Sequence, residues 1–227
     1  MKPQYFTLLD PFLDHTTGVL KDRVYLRYKR THGEPYRDMT FAEFGERVRE
    51  VFHRFAGLGL ARGDRIAIIS ESRPEWLIAE FAALALGAIW VPMFPTLTPP
   101  QIAFILNDCG AKLLLVSNDL QFGKARKIDC PSLEKIIVFN EDTNLDSIDN
   151  KTLHLRDLST LSNPSTDFEA EANKASSGDT VTIIYTSGTT GNPKGVMLSH
   201  GNVMSNIEGA LAAIPPLTER DVALSFL

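Results

Sequence analysis

Cysteine is nearly absent from this chain of 227 residues: Cys109 and Cys130 are the only two, and their separation fits no metal-ligand pattern. That excludes a disulfide-stapled scaffold and a cysteine-built metal centre, and it sets the expectation of a reduced, cytoplasmic environment. The five histidines (His15, His32, His53, His154, His200) do not group with the cysteines, and no metal site is expected from these residues. Basic charge is not in excess either. There are 23 Lys and Arg against 28 Asp and Glu, a net charge of −5, so nucleic acid is not an expected partner. The densest basic group, Lys21, Arg23, Arg27, Lys29 and Arg30, alternates with Val24, Leu26 and Tyr28 and reads as the solvated face of a strand. The opening MKPQYFTLLDPFLDH carries no apolar core of signal-peptide length, and export is not expected.

Long apolar runs are equally scarce. One stretch, WLIAEFAALALGAIWVPMF from Trp76 to Phe94, has the length of a membrane span, but Glu80 lies inside it and Gly87 and Pro92 interrupt it. Its spacing is helical before Gly87 and strand-like after it, so a buried helix followed by a buried strand is expected, with Trp76 and Trp90 as core residues. The chain as a whole is 44% apolar and 22% charged, ordinary values for a folded protein. The acidity is local: residues 141–180 hold nine acids and three bases, so that stretch is −6 and the remainder +1.

What is present is a regular alternation. Val24–Arg30 and Tyr36–Met39 flank His32-Gly33 and suggest a hairpin. Thr40 with Glu43 forms a capping box for a helix whose Phe41, Phe44, Val48, Val51, Phe52 and Phe55 recur at spacings of three and four, ending at Gly57 or Gly59. Strands are expected at Ile66–Ile69, Ala88–Pro92, Leu113–Val116 and Ile136–Phe139. Between them lie a helix capped by Ser72 and Glu75, and another begun by Thr98, Pro99 and Gln101 and stopped by Gly110. Strands that are aliphatic throughout, alternating with helices, indicate an α/β fold with a parallel sheet covered on both faces. Four consecutive stretches are expected: an N-terminal hairpin and helix over 1–63, an alternating β/α segment over 64–140, an acidic excursion over 141–180 with at most a short strand near Thr152–Leu155, and a strand-loop-strand-helix segment over 181–227. The last helix, with Val203, Ile207, Ala210, Leu211 and Ile214 at helical spacing, is expected to cover the sheet, and His200 near its start to cap it or lie at the surface. Asp221–Leu227 reads as a strand just begun, so the chain looks like a piece of a longer one.

The chemistry concentrates in Tyr185-Thr186-Ser187-Gly188-Thr189-Thr190-Gly191-Asn192-Pro193-Lys194-Gly195, between a strand at Val181–Tyr185 and a second apolar run at Val196–Leu198. Gly188, Gly191 and Gly195 permit positive φ and close backbone approach to an anion, so that N–H groups can converge as a nest. Thr186, Ser187, Thr189 and Thr190 add hydroxyl donors, Lys194 a mobile charge, and Pro193 stiffness. A hairpin loop without any ligand is the competing reading, but this density of donors with a lysine favours a polyphosphate. The spacing is not that of a Walker A loop, which needs Gly-Lys-Ser/Thr where Pro193, Lys194 and Gly195 stand.

The string YTSGTTGNPKGVMLSH, Tyr185 to His200, closely resembles the signature phosphate loop of the adenylate-forming (acyl-CoA synthetase, AMP-binding) superfamily. Arg62–Ile69, Arg73-Pro74-Glu75-Trp76, Gly87-Ala88, Val91–Thr98 with Phe94 replacing a tyrosine, and Ile105–Lys112 are similar to the bacterial long-chain fatty acyl-CoA synthetase branch. The resemblance covers most of residues 24–227 and implies a two-step ligase using ATP, Mg2+ and coenzyme A on a fatty acid. It implies that Thr186, Ser187, Gly188, Thr189, Thr190, Gly191 and Lys194 grip the β- and γ-phosphates. The superfamily's later motifs, including its adenylation lysine and most walls of the acyl pocket, would fall beyond Leu227. No catalytic residue is therefore expected within these 227 residues, and the chain alone is expected to be inactive. Another carboxylate substrate, aryl or amino acid, and a non-catalytic phosphate- or protein-binding module remain the alternatives. No transmembrane segment is expected, and peripheral membrane contact is left open.

Overall fold

The computed structural model describes residues 4–31, 33–145, 151–186, 193–216, 218 and 221–224. A short helix α1 (Leu9–Thr17) precedes an antiparallel hairpin of β1 (Val24–Tyr28) and β2 (Arg37–Thr40), whose turn contains Gly33 at φ 91°; His32 lies outside the described residues. Helix α2 (Phe41–Gly57) starts from the expected capping box: Glu43 N–H donates to Thr40 Oγ1 (3.2 Å), and Thr40 N–H to Glu43 Oε2 (2.8 Å). Its six apolar repeats all face inward except Phe41, which is partly exposed and stacks on Tyr25.

The central sheet has seven strands in the order β7-β6-β5-β3-β4-β8-β9. They are β3 (Arg65–Ile69), β4 (Ile89–Met93), β5 (Leu113–Val116), β6 (Lys135–Val138), β7 (Thr152–His154), β8 (Thr180–Thr186) and β9 (Lys194–Ser199). All neighbours are parallel except β8 and β9, which form an antiparallel ribbon. Alternate residues of each central strand enter opposite cores. Ile66, Ile68 and Trp90 face α1, α2 and the helix α3 (Pro74–Ala85); Ala67, Ile69 and Val91 face α4 (Pro99–Cys109) and α5 (Asp119–Ala125). Both faces being apolar is why these strands lack polar alternation. Among the described residues no helix is long and apolar enough to cross a membrane.

Four details depart from the sequence expectation. Helix α3 is not capped by Ser72: its N-cap is Arg73, with no side-chain cap, and Glu75 instead accepts from Arg73 Nε (2.9 Å). Pro74 at the first helical position has no N–H to cap and a preset φ, which removes much of the need. Residues 141–180 are not a mere excursion, because besides β7 they form a 3-10 helix (Leu155–Leu161) and α6 (Phe168–Ala172), with Leu158, Phe168 and Ala172 fully inside the core. The ring of Phe168 meets Phe12 and Phe52, and the Arg49 guanidinium lies 4.8 Å from its centroid. Helix α7 (His200–Ala213) covers the core only at its start: His200 and Met204 are buried and Val203 packs on the core, whereas Ile207, Leu211 and Ile214 are exposed. Residues 221–224 form no strand, and 225–227 lie outside the described residues.

Candidate functional site

Strand β8 joins the parallel sheet at one registered pair, Trp90↔Thr182, reinforced by Thr182 Oγ1 donating to Trp90 O (2.9 Å). Beyond it the ladder continues only with β9: Ile183↔Met197, Ile184↔Val196, Tyr185↔Gly195 and Thr186↔Lys194. Thr186 and Lys194 thus stand opposite each other, exposed, at the mouth of the hairpin. Ser187, Gly188, Thr189, Thr190 and Gly191, the other five expected phosphate ligands, lie outside the described residues. The mouth is where their chain must leave and re-enter.

Gly195 serves a different purpose from the one its sequence suggests. It lies within a strand and is not among the positive-φ glycines. A Cβ there would stand 2.9 Å from Ile183 Cγ2 and 3.1 Å from Tyr185 Cζ, so glycine fits where Ile183 and the Tyr185 ring lie across it. The Tyr185 hydroxyl donates to Asp108 Oδ2 on α4 at 2.6 Å. Burial first, then this bond to a carboxylate, raises the phenol's pKa well above its ordinary value.

Two cavities flank this tyrosine. One, about 290 Å³, lies beneath the ribbon between Pro92, Leu97, Ile105, Thr186 and Pro193. The other, about 510 Å³ and mainly apolar, is bounded by Leu26 and Tyr28 of the first hairpin, Trp76 and Leu77 of α3, and Ile184 of β8. Phe94, 71% exposed, borders both. The larger cleft opens at the carboxyl ends of β3, β4 and β8. There the connection from β3 runs to α3 on one face, while that from β4 runs to α4 on the other and returns across β3 to β5. Divergence of this kind opens a crevice in parallel sheets. Trp90 is a core residue as expected; Trp76, edge-on to it at 5.6 Å, is half-buried and walls the cleft.

A polar network missed in the sequence braces this end of the sheet. Glu71, just past β3, accepts from Ser117 Oγ (2.5 Å), Asn118 Nδ2 (3.1 Å) and Gln121 Nε2 (3.2 Å) after β5. Burial pushes its carboxyl pKa up, but these bonds outweigh burial and hold it below the usual carboxylate range. Arg73 joins three loops, donating through Nη1 to Asn140 Oδ1 (2.9 Å) and Ser117 O (3.2 Å) and through Nε to Glu75. Apart from Arg73 and Glu75, the donors and acceptors are separated by 44 to 67 positions along the chain, and no local pattern announces them.

His200 is neither a surface residue nor a side-chain cap. It is 3% exposed, and its Nδ1 accepts the Leu8 N–H at 3.2 Å, joining the start of α7 to the start of α1. Ser199 supplies the cap, through a reciprocal box with Asn202. Burial lowers the imidazole pKa against the opposing pull of Asp179 and Asp10. Asp179 itself receives Arg62 Nη1 (3.0 Å) and the Ser176 N–H (3.0 Å), and its backbone carbonyl accepts the His200 N–H. The hairpin is therefore held at the far end of both its strands. Among the described residues no group of three or more His, Cys, Asp or Glu could hold a metal ion, so they provide no carboxylate cage for Mg2+.

A mostly parallel sheet, a crevice at its carboxyl ends and an antiparallel β8–β9 hairpin beside it give an α/β protein with the fold of the adenylate-forming enzymes. The chain belongs to the family described as AMP-binding enzyme, which it matches over residues 13–227. It is 32% identical over 201 residues to the long-chain-fatty-acid–CoA ligase FadD15 of Mycobacterium tuberculosis, covering 88% of this chain and 32% of that protein. It is 29% identical over 232 residues to the peroxisomal long chain acyl-CoA synthetase 7 of Arabidopsis thaliana, covering 99% of this chain and 33% of that one. Among solved structures it superposes on the anthranilate CoA ligase AuaEII in complex with anthranoyl-AMP (TM-score 0.71, 27% identity, 88% of this chain and 36% of that chain). It also superposes on the O-succinylbenzoate coenzyme A synthetase of Bacillus subtilis in complex with AMP (TM-score 0.67, 25% identity, 92% and 47%). The chain thus spans about a third of the length of these curated relatives.

Proposed function

We propose that this chain forms the phosphate-gripping part of an ATP-dependent long-chain fatty acyl-CoA ligase. In the first half-reaction a carboxylate oxygen attacks the α-phosphorus of ATP, breaking the bond to the β-phosphate bridging oxygen and releasing pyrophosphate. In the second the coenzyme A thiol attacks the acyl carbon, AMP leaves with the bonding pair, and the thiol proton passes to solvent. Thr186, Ser187, Gly188, Thr189, Thr190, Gly191 and Lys194 hold the β- and γ-phosphates; Lys194 places positive charge where the departing pyrophosphate gains negative charge. Positioning and charge stabilisation are the main demands of such a step. Mg2+ would supply further charge neutralisation at the phosphates.

The single observation carrying this reading is the placement of Thr186 and Lys194 as a facing pair at the mouth of a ribbon beside a mainly apolar cleft. Such a cleft suits a carboxylate with an apolar body, and the curated relatives are named as long-chain-fatty-acid ligases. An aryl carboxylate is the second reading, favoured by the anthranilate and O-succinylbenzoate ligases among the structural relatives. Substrate-dependent ATP–pyrophosphate exchange with a panel of fatty, aryl and amino acids, on a chain of the relatives' full length, decides between them. In that protein Lys194→Ala is expected to remove a charge-assisted contact of roughly 1.5 to 3 kcal/mol, slowing adenylation about 10-fold or more. Unchanged adenylation kinetics would overturn the role of Lys194, and no exchange with any acid by the wild-type protein would favour a non-catalytic binding module.

A further inference from the structure

The phosphate ribbon is poorly supported by the sheet that carries it. Among the described residues its strands are registered past Thr182 only with each other, and the smaller cavity lies against it. A two-stranded antiparallel ribbon is marginal on its own in water, yet this one must hold a loop in register for a ligand. Among the described residues one hydrogen bond reaches from its outer half to the body, the Tyr185 hydroxyl to Asp108, 77 positions away, while Ile183 and the Tyr185 ring pack on the apolar core shared with α4. Asp108 sits on a rigid platform. Helix α4 is boxed at its start by Thr98 and Gln101 and closed by left-handed Gly110. Arg65 of β3 donates to the carbonyls of Cys109 (2.7 Å) and Gly110 (2.9 Å), and Asn107 Nδ2 donates to Asp129 O (3.0 Å). Tyr185 also lies across Gly195 on the opposite strand, so a single side chain fixes both strands one residue before the Thr186↔Lys194 pair.

Building on the phosphate-binding reading, we propose that Tyr185 is a positioning residue for the hairpin, tethering its outer half to α4 through Asp108 and setting the spacing of Thr186 and Lys194. The tether touches no substrate; it acts through those two residues. Its signature is local: the ribbon loosens while the central sheet does not.

The test measures amide hydrogen exchange of β9 and of β3 to β5, together with ATP titration, on the wild-type chain and on Tyr185→Phe, Asp108→Ala, Asp108→Asn and the Tyr185→Phe/Asp108→Ala double variant. Losing a bond to a charged acceptor is expected to speed exchange at residues 194–197 about 10-fold in Tyr185→Phe and Asp108→Ala, with ATP affinity falling in parallel. The double variant adds nothing further, and Asp108→Asn, which keeps a carbonyl acceptor, recovers most of the protection. Unchanged exchange in Tyr185→Phe overturns the tether, as do additive effects in the double variant, or exchange that rises equally in β9 and β3. ATP affinity that stays constant while the ribbon loosens overturns the positioning role. A wild-type chain of the relatives' full length that does not bind ATP, with the tether signature intact, instead sinks the phosphate-binding reading on which the role depends.

Discussion

Individual side chains show two buried ionisable groups with opposite pH signatures. Glu80 on α3, partly accessible but hemmed in by apolar surroundings, has its carboxyl pKa pushed up by burial from 4.5 to about 8. Below pH 4.5 the native and unfolded chains both carry the proton. As pH rises toward 8 the unfolded chain gives it up first, and the native state loses stability. Glu80→Gln is therefore expected to stabilise the fold at pH 7 by about 1 kcal/mol or more, with the gain vanishing at pH 4, as read from urea midpoints. His200 works in the other direction: its pKa is lowered from 6.5, so acidification below 6.5 protonates the unfolded chain first and destabilises the native one. The wild type should lose stability more steeply than His200→Gln between pH 7 and 5.5, with faster exchange of the Leu8 amide that Nδ1 accepts. Gly195→Ala forces Tyr185 aside and is expected to cost about 1–3 kcal/mol by denaturant unfolding, a typical overpacking cost. The hydroxyls, glycines and lysine of the hairpin were legible in the sequence as a dense polar run, and their phosphate role is the proposal made above. The reason for Gly195 was not, because the ring that excludes a Cβ belongs to the neighbouring strand.

The same division holds for whole elements. Helices α2 and α4 announce themselves through reciprocal capping boxes, Thr40 with Glu43 and Thr98 with Gln101, which are contacts between residues three apart. Strands β3 to β6 announce themselves as short aliphatic runs. Helix α6 and the 3-10 helix do not, since each contributes isolated anchors, Leu158 and Phe168, rather than a repeating face. Their docking is tight nonetheless. A Cβ on Gly57, the last residue of α2, would lie 1.6 Å from Leu161 O. Gly57→Ala must push the 3-10 helix off α2 and is expected to cost about 3 kcal/mol, measurable as a lower denaturant midpoint with accelerated exchange in residues 155–161. Helix α7 errs the other way: its apolar repeat predicted a covering role, but Ile207, Leu211 and Ile214 face outward, since periodicity tells which residues share a face and not what that face meets.

Taken whole, the molecule is a member of the AMP-binding enzyme family spanning about a third of its curated relatives. The sequence by itself determined the α/β class and the starts of helices α2 and α4, because apolar periodicity and caps act between near neighbours in the chain. Only the tertiary structure decided the strand order, the crevice at the carboxyl ends, the Glu71 and Arg73 network and the Tyr185–Asp108 tether. Those contacts join residues dozens of positions apart, and which distant partners meet depends on how the two apolar faces of the sheet are covered.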